Sequence, residues 1–327
     1  MKKSVFIIFS LFSLFSCNVH PKSNNQIKKT EIKLLSWNLE TFFDANYDGN
    51  EYPDFTKTSS GWNQLKYENR LNNLISVLKT IDTDIVVFQE LEKENQLYDI
   101  SNKLFSVFSF SKVYGYGAFA KEKDSAIGCG ILSRYPILNV TVHSVCIKTK
   151  NQQQPSLRPI MEVLIKKGNS EFCILVNHWK SKSGGEENTR IWRNYQETIL
   201  ADRINKLSEK GIPFVACGDF NKDIKEFEKI INSDGCVNIL LKGSKNAYVT
   251  SPWYNLQGEL IEPGSYYYKK SWGRIDHFFY GKNIELVDFT VETNGPWKSS
   301  AGTPLRYFIK NGKGYSDHFP ISCKIRV

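Results

Sequence analysis

Polar residues capable of chemistry follow several apolar runs of the chain. The C-terminal stretch GYSDHFPISCKIRV places Asp317 and His318 directly before a run in which Ile321, Cys323 and Ile325 alternate with polar residues. This period of two predicts a half-buried terminal strand. An Asp–His pair at the mouth of a strand is costly to remove from water unless it is hydrogen-bonded or used. An ordinary turn is the alternative, so the ends of the other strands decide the interpretation.

Similar residues end other apolar runs. They are Asn38 and Glu40 in SWNLE, Glu90 in VFQE, Asn177 and His178 in VNHWK, Asp219 and Asn221 in CGDFN, and Asp276 in GRIDH. If the sheet edges converge, these side chains share one cleft, and such an oxygen-rich, sulfur-poor set suits a hard ion such as Mg²⁺ or Mn²⁺. Each also has a structural alternative, namely a turn at Asn38, a helix cap at Glu90 and an Asx-turn at Asp219.

Short apolar runs predict the frame around these residues. Strands are predicted at 32–39, 84–89, 129–134, 160–166, 171–178, 213–220 and 274–281. Helical periodicity gives one apolar stripe at Leu71, Leu74, Ile75 and Leu78, and another within about 188–209 at Ile191, Tyr195, Ile199 and Leu200. Because strands outnumber helices and several follow one another directly, the predicted fold is an α/β (α+β) sandwich of four-layer type. It has two packed, mainly antiparallel sheets flanked by helices.

Other histidines and the cysteines are predicted to be structural. His277 points to the opposite strand face from Asp276, and His143 in VTVHSV is expected to be exposed or hydrogen-bonded. Buried thiols are predicted at Cys129, Cys173, Cys217 and Cys323. No Cys/His spacing indicates zinc. A disulfide between two of the cysteines is the alternative, because an exported chain meets oxidising conditions.

The N-terminus predicts export. Lys2 and Lys3 precede an apolar run that ends in a lipobox-like Leu-Phe-Ser-Cys, with Cys17 as the lipid-bearing residue. The predicted divisions are a lipoprotein signal peptide at 1–17, a flexible tether at 18–30 and one domain at 31–327. A plain secretory signal is the alternative. The expected location is the bacterial cell envelope, where the chain is a monomer anchored in the membrane through Cys17.

The charge balance favours a polyanionic partner or an anionic membrane surface. The chain has 327 residues, with 43 Lys and Arg against 34 Asp and Glu, so its formal charge is +9, or +7 without Lys2 and Lys3. Four cations follow His178 closely: Lys180, Lys182, Arg190 and Arg193. They predict a rim that contacts phosphates without reading bases, the alternative being a charged loop and a solvated helix face. Trp272 is predicted to line the cleft or to pack.

The motifs DIVVFQE, VNHWKSK, GDFN, RIDH and SDH, in this order, resemble the endonuclease/exonuclease/phosphatase superfamily, which has the deoxyribonuclease-I-like fold. The resemblance covers nearly all of residues 31–327, and WNLETFFD and NHWKSKSGGE are most similar to exported bacterial nuclease-type members. It implies metal-dependent hydrolysis of phosphate esters at one end of both sheets, with Mg²⁺, or Mn²⁺ in its place, and nucleic acid as the substrate.

The resemblance also implies roles for the matching residues. The implied sets are Glu90, Asn38, Glu40 and Asp317 for the metal, and His178, Asp219, Asn221, Asp276 and His318 for catalysis. The substrate contacts predicted from the residues themselves are Asn177, Lys180, Lys182, Arg190, Arg193 and Trp272. Glu90 matches the chief metal ligand. His318 matches the histidine that orients or deprotonates the attacking water, and Asp276 the carboxylate that fixes its tautomer. Asp219 positions the nucleophile, and His178 contacts the phosphate.

Two further functional classes stay open. A phosphodiesterase or phosphatase acting on a lipid headgroup, as in sphingomyelinase-like members, uses the same fold. An inactive binding module is disfavoured by the intact set of site residues. PWYNLQ is a weak candidate for the exposed apolar hairpin that a membrane-active phospholipase would carry.

A separate acidic stretch, DANYDGNEYPDF, begins like a calcium loop at Asp44, Asn46 and Asp48. Phe55 stands where such a loop needs a bidentate glutamate, so a solvated insertion loop is favoured over a Ca²⁺ site.

Overall fold

Continuous apolar runs form two large β-sheets in the computed structural model of this chain. The structure describes residues 30–149, 152–232 and 237–327, and for Lys2–Ile7 it describes the backbone alone. Cys17, the rest of the predicted signal peptide and residues 18–29 lie outside the described residues.

The first sheet has seven strands and carries the N-terminal half of the site. In order across the sheet they are β1 (Lys2–Ile7), β4 (Tyr116–Lys121), β5 (Gly128–Ser133), β3 (Ile85–Leu91), β2 (Glu31–Phe42), β17 (Ile321–Arg326) and β16 (Glu285–Val291). The pairing of β2 with β3 is parallel, and the other pairings are antiparallel.

The second sheet has eight strands. Their order is β10 (Glu228–Ile231), β11 (Val237–Leu241), β12 (Ala247–Thr250), β15 (Asp276–Tyr280), β9 (Phe214–Asp219), β8 (Ser170–His178), β7 (Ile160–Lys167) and β6 (Ile137–His143). Only β8 and β9 run parallel within it. A separate hairpin joins β13 (Tyr266–Tyr268) to β14 (Ser271–Gly273).

Helices cover the outer faces of the packed sheets. They are α1 (Pro53–Thr56), α2 (Gln64–Ile81), α3 (Asn95–Phe105) and α4 (Glu186–Glu209). Strands β2 and β3 face β9, while α3 packs on β5 and α4 packs on β11 and β12. The predicted four-layer sandwich of mainly antiparallel sheets is therefore confirmed. Within the parts that the structure describes, no helix combines the length and apolar character needed to cross a membrane.

One predicted helix face is confirmed, and the other is confirmed at Leu200 and Ile199 but wrong at Ile191 and Tyr195. Leu71, Leu74, Ile75 and Leu78 are all buried on α2. On α4, Ile191 and Tyr195 are each 39% exposed, and the buried face runs through Trp192, Gln196, Leu200 and Ile204. Gln196 breaks the apolar period because its buried amide bonds the backbone: its Oε1 accepts from Lys180 N at 2.8 Å.

An ion cluster ties α4 to the second sheet through Glu162. Its carboxylate accepts from Arg203 Nε at 2.7 Å and lies 3.0 Å from His143 Nε2, so His143 is a satisfied strand residue. Burial alone would raise the pKa of Glu162, but the hydrogen bonds from His143 and Arg203 outweigh it and lower this pKa to about 2.

Glu162→Gln is therefore expected to lower the melting temperature at pH 7 but not in strong acid. A depressed folded-state pKa contributes stability above the unfolded pKa, and this contribution is lost as the pH falls from about 4.5 towards about 2. Melting curves of both proteins between pH 2 and 7 measure it. A constant difference across this range would show that the charge of Glu162 is not the cause.

The remaining predicted structural residues lie in the core. His277 is buried, its Nε2 lies 2.8 Å from Lys222 O, and its ring stacks on Phe279. The cysteines within the described ranges are free thiols, buried at Cys129, Cys173, Cys217 and Cys323 and exposed at Cys146.

Candidate active site

Strand pairing brings predicted site residues from both sheets to one end of the sandwich. In the register of the second sheet, His178 on β8 is opposite Asp219 on β9, and Asp219 is opposite Asp276 on β15. The first sheet adds the segment before β17, because Trp37 Nε1 on β2 donates to His318 O at 3.0 Å. Residues far apart in sequence therefore line one cleft.

His318 and Asp276 form a buried hydrogen-bonded pair in this cleft. His318 Nδ1 lies 2.8 Å from Asp276 Oδ2, and Ser265 Oγ donates to the same oxygen at 2.6 Å. The other ring nitrogen, Nε2, lies 3.8 Å from Asp317 Oδ1. Burial opposes protonation of the ring, but the carboxylates of Asp276 and Asp317 outweigh it, so the pKa of His318 lies well above its usual range. Protonation of His318 is thus favoured by the carboxylates that face it.

Asp219 is fixed by amide donors on both oxygens. Asn221 N donates to Oδ1 at 2.8 Å, while Asn38 Nδ2 and Asn221 Nδ2 donate to Oδ2 at 3.0 and 3.1 Å. Burial and the nearby carboxylate of Asp276 outweigh these donors and raise the pKa of Asp219 to about 7. A carboxylate with this pKa can accept a proton from water near neutral pH.

Glu90 shares the Asn38 amide with Asp219. Asn38 Nδ2 lies 3.2 Å from Glu90 Oε1, and Thr41 N donates to Glu90 Oε2 at 2.6 Å. His178 Nε2 lies 3.7 Å from both Glu90 Oε1 and Asp219 Oδ2. Burial, and then the positive charge of Arg158, holds the pKa of His178 well below its usual range. The surroundings of the two histidines therefore act in opposite directions, against protonation of His178 and in favour of protonation of His318.

Several site residues have strained backbone. Glu40, Glu90 and Asn221 have φ values of +53°, +68° and +47°, a region that costs non-glycine residues of order 1–3 kcal/mol each. Gly218 has φ +135°, and a Cβ there would collide with the Asn177 carbonyl. Such strain persists only where the surrounding structure enforces it, and it clusters at functional sites.

Arg70 enforces the left-handed turn at Glu40 and Thr41, which interrupts the pairing of β2 near its end. Its Nη1 donates to Thr41 O at 2.8 Å, and its Nη2 donates to Leu39 O at 2.7 Å and Glu40 O at 2.5 Å. Its guanidinium lies 4.1 Å from the Tyr307 ring centroid. Burial lowers the pKa of Arg70 to about 10, so it stays charged at neutral pH. Because this turn carries the Thr41 N–H that binds Glu90, Arg70 is a positioning residue.

Arg70→Met is expected to lower kcat by about a hundredfold, since a shift of about 1 Å in a positioned group has that effect. Arg70→Lys should recover part of the loss because it restores a charged donor. Turnover is compared at a temperature where circular dichroism shows each variant folded. Wild-type turnover by a folded Arg70→Met protein would exclude this role.

Glu40 lies at the edge of the cleft with both oxygens engaged. Oε1 pairs with Arg306, and Oε2 accepts from Tyr307 N at 3.1 Å. Burial and then the carboxylate of Asp317 raise the pKa of Glu40 to about 7.

The cleft fits a divalent cation. Five carboxylates converge at this end: Glu40, Glu90, Asp219, Asp276 and Asp317. Ligand atoms of Asp219, Asp276 and His318 lie within 4.8 Å of one another. Asp276 Oδ1 and His178 Nδ1 are buried without a hydrogen-bond partner among the described residues. This trio differs from the predicted metal set, and the direct hydrogen bond between Asp276 and His318 shows that Asp276 orients the ring of His318.

The predicted cationic rim is only partly present. Lys180 Nζ lies 3.3 Å from Ser181 Oγ, and burial with Arg158 and Arg193 nearby lowers the pKa of Lys180. Lys182 Nζ instead bonds Glu186 and Glu226, each at 2.7 Å. The prediction of a free phosphate-binding charge is thus corrected for Lys182.

Three other residues that were predicted to contact the substrate bond protein groups instead. Arg193 is buried and its Nη1 donates to Thr189 Oγ1 at 2.9 Å, whereas exposed Arg190 pairs with Glu187 at 2.5 Å. Asn177 is fully buried, and its Oδ1 accepts from Trp179 Nε1 at 3.0 Å. Arg193 and Asn177 therefore support the fold at the site rather than line it, and Arg190 lies on the exposed face of α4.

Of the two roles predicted for Trp272, the structure shows packing. Trp272 is half-buried and stacks on Phe319, with ring centroids 5.9 Å apart. Tyr266 instead covers the catalytic pair, its centroid 4.6 Å from that of His318. Sequence reasoning missed Tyr266, whose only signal is its place shortly before GRIDH.

Arg158 is a second residue that sequence reasoning missed. It is 8% exposed, its Nη2 donates to Trp179 O, and its charge lowers the pKa of neighbouring His178. Its signal is an arginine directly before Pro159 and the apolar strand β7.

A lysine forms ion pairs with the acidic stretch that follows β2. Lys93 Nζ lies 2.9 Å from Asp44 Oδ2 and 2.7 Å from Asp48 Oδ2. An ammonium therefore neutralises the carboxylates that a calcium loop would offer to an ion.

A family model described as Endonuclease/Exonuclease/phosphatase family matches residues 33–327. The chain belongs to this family. Nocturnin from Rattus norvegicus is 25% identical to it over 171 residues, which are 50% of this chain and 38% of Nocturnin. The chain thus spans well under two thirds of that relative's length.

Solved structures share the fold. Truncated TDP2 from Caenorhabditis elegans superposes with a TM-score of 0.58 at 15% identity, covering 91% of this chain and 98% of that one. The human Nocturnin catalytic domain with bound sulfate anion gives 0.55 at 17% identity, covering 92% and 98%. Likeness at these identities concerns the fold alone.

Proposed function

We propose that this protein is a metal-dependent phosphodiester hydrolase, and specifically a nuclease that cleaves DNA, with RNA as a further substrate, by attack of water on phosphorus. The observation that carries the proposal is the buried pair of Asp276 and His318, with Nδ1 bonded at 2.8 Å and Asp219 beside it. Family membership supports the hydrolytic chemistry.

Each side chain of the cleft has a task in this reaction. The His318 imidazolium binds a phosphoryl oxygen through Nε2, and Asp276 holds its orientation. Asp219 accepts the proton of the attacking water, while Asn221 orients Asp219. Neutral His178 and the cation of Arg158 face the anionic substrate from β8 and the segment before β7. These donors offset charge that grows on the phosphoryl oxygens.

The metal is proposed to be Mg²⁺, with Mn²⁺ able to replace it. Glu90 would hold it, with Asn38 and Asp317 completing the set. When bound, the ion would neutralise part of the carboxylate charge and polarise the phosphate.

Nucleic acid is proposed as substrate because Lys180 presents a cation next to His178, whereas Lys182 is already paired with Glu186 and Glu226. Lys180→Ala should weaken binding of all DNA sequences alike and flatten the log–log salt dependence by about 0.9, the value for one phosphate contact. Lys182→Ala is the matched control, and it should change the DNA affinity and the slope of its salt dependence less than Lys180→Ala does. Binding is measured by fluorescence anisotropy in a chelator, which prevents turnover.

A substrate panel tests the reaction itself. The purified chain is given plasmid DNA, RNA, a sphingomyelin dispersion and a small phosphate monoester, with Mg²⁺ or with a chelator. Cleavage of the nucleic acids in Mg²⁺ alone is expected. Hydrolysis of the lipid or the monoester while DNA stays intact would overturn the nuclease proposal.

We also propose that the protein is exported and anchored in the bacterial cell envelope through a lipid on Cys17. The support is the lipobox-like sequence before Cys17. Cys17→Ala should move the protein from the membrane fraction to the soluble fraction. Equal membrane association of both proteins would contradict the anchor.

A further inference from the structure

The β13–β14 hairpin places aromatic and basic side chains directly beside His318. Tyr266 forms an isolated antiparallel bridge with His318, and Phe319 N donates to Ser265 O at 2.7 Å. Ser265 also bonds Asp276 through its hydroxyl. The base of the hairpin is thus fixed to the catalytic pair, so its tip has a defined position relative to the reacting phosphate.

The two faces of the hairpin differ. On one face Tyr267 packs against Trp272 with centroids 5.0 Å apart, and Trp272 stacks on Phe319. On the other face Tyr266 and Tyr268 lie nearly parallel, 6.2 Å apart at 18°. The first face holds the hairpin on the protein, and the second forms an aromatic row that leads outward from His318.

The end of this row is exposed and carries positive charge. Tyr268 is 58% exposed, and Lys269 Nζ lies 5.3 Å from its ring centroid. Lys269 and Lys270 form the turn with φ values of +47° and +65°. Tyr268 differs from the other exposed aromatic residues in that it continues a row that begins at His318 and that a lysine contacts its ring.

We propose that Tyr268 and Lys269 form a subsite for an unpaired nucleobase and its phosphate, so that the preferred substrate is single-stranded nucleic acid. This rests on the proposed nuclease function. Every base presents a π-face that can stack on an aromatic ring, and a neighbouring cation binds the backbone. Bases inside a duplex are already stacked. A choline headgroup also binds aromatic rings, but Lys269 would repel its positive charge.

The experiment compares Tyr268→Ala with Tyr268→Phe and with Tyr248→Ala. Tyr248 is a matched control because it is also 58% exposed and lies on β12, beside the end of β15 that is away from Asp276. On a single-stranded oligonucleotide, Tyr268→Ala should lower kcat/KM roughly tenfold to a hundredfold, the range of one base–aromatic stack. Tyr268→Phe and Tyr248→Ala should stay near wild type. On the same oligonucleotide with abasic positions around the cut, Tyr268→Ala should match wild type.

A binding measurement without turnover gives a second readout. In a chelator, an oligonucleotide carrying 2-aminopurine should lose fluorescence on binding the wild type and the Tyr248→Ala variant, and lose less on binding Tyr268→Ala. If nucleic acid is cleaved but Tyr268→Ala behaves like Tyr248→Ala in both assays, the subsite is wrong and the nuclease proposal stands. If the wild type cleaves no nucleic acid, both proposals fail.

Discussion

His318→Ala is expected to lower kcat by roughly 10²- to 10³-fold, the contribution of one preorganised hydrogen-bond donor to the charge that develops on the phosphoryl oxygens. The ring is buried, bonded to Asp276 at 2.8 Å and covered by Tyr266. Asp276→Asn should cause a smaller loss through the same step. The double mutant should lose little more than the worse single mutant, because residues that act as a unit are non-additive.

The measurement is kcat on DNA at saturating Mg²⁺ for both single mutants and the double mutant. Asp276 also accepts a hydrogen bond from Ser265 at 2.6 Å, so Ser265→Ala is the control for loss of that bond. If Ser265→Ala reproduces the whole Asp276→Asn effect, Asp276 acts by holding the hairpin. Fully multiplicative losses would show that Asp276 does not serve His318.

The strand ends of the site were predictable because each carries a polar residue at the border of an apolar run, as Asp219 does at the end of β9 and Asp276 at the start of β15. Asp219 and Asp276 were named from such ends, and the antiparallel register of β9 and β15 places them opposite each other. A strand buried on both faces has few reasons to end in a carboxylate, which makes that signal strong. The sandwich itself followed from the number of strands and their short connections.

The surface of the site was less predictable, because charge pairing depends on partners distant in sequence. Lys182 is neutralised by Glu226, which is 44 positions away, and periodicity contains no information about that contact. On α4 the polar Gln196 is buried while Ile191 and Tyr195 are exposed, and apolar periodicity alone does not predict a buried amide. The aromatic cover of His318 depends on where the hairpin folds, which the sequence around Tyr266 does not specify.

Glu90→Gln is expected to lower kcat/KM on the order of 10³-fold, since the Lewis acid that Glu90 would hold is worth several kcal/mol. The glutamine removes a negative charge, and its NH₂ would also face the Thr41 N–H or the Asn38 amide, which lie 2.6 and 3.2 Å from the present oxygens. Donor opposite donor disorders the site further. Raising Mg²⁺ or Mn²⁺ should restore part of the activity by mass action.

Glu92→Gln is the matched control for this substitution. Burial raises the pKa of Glu92 to about 8, so a neutral glutamine resembles its charge state at pH 7 and turnover should change little. Calorimetric titration with Mn²⁺ should show weaker binding for Glu90→Gln and unchanged binding for Glu92→Gln. Because both substitutions remove one oxygen from neighbouring positions, a difference between them isolates the ion-binding charge. If a folded Glu90→Gln protein binds Mn²⁺ as tightly as the wild type, Glu90 is not the main ligand. Asp219 and Asp276 are then the first carboxylates of the cleft to test as ligands.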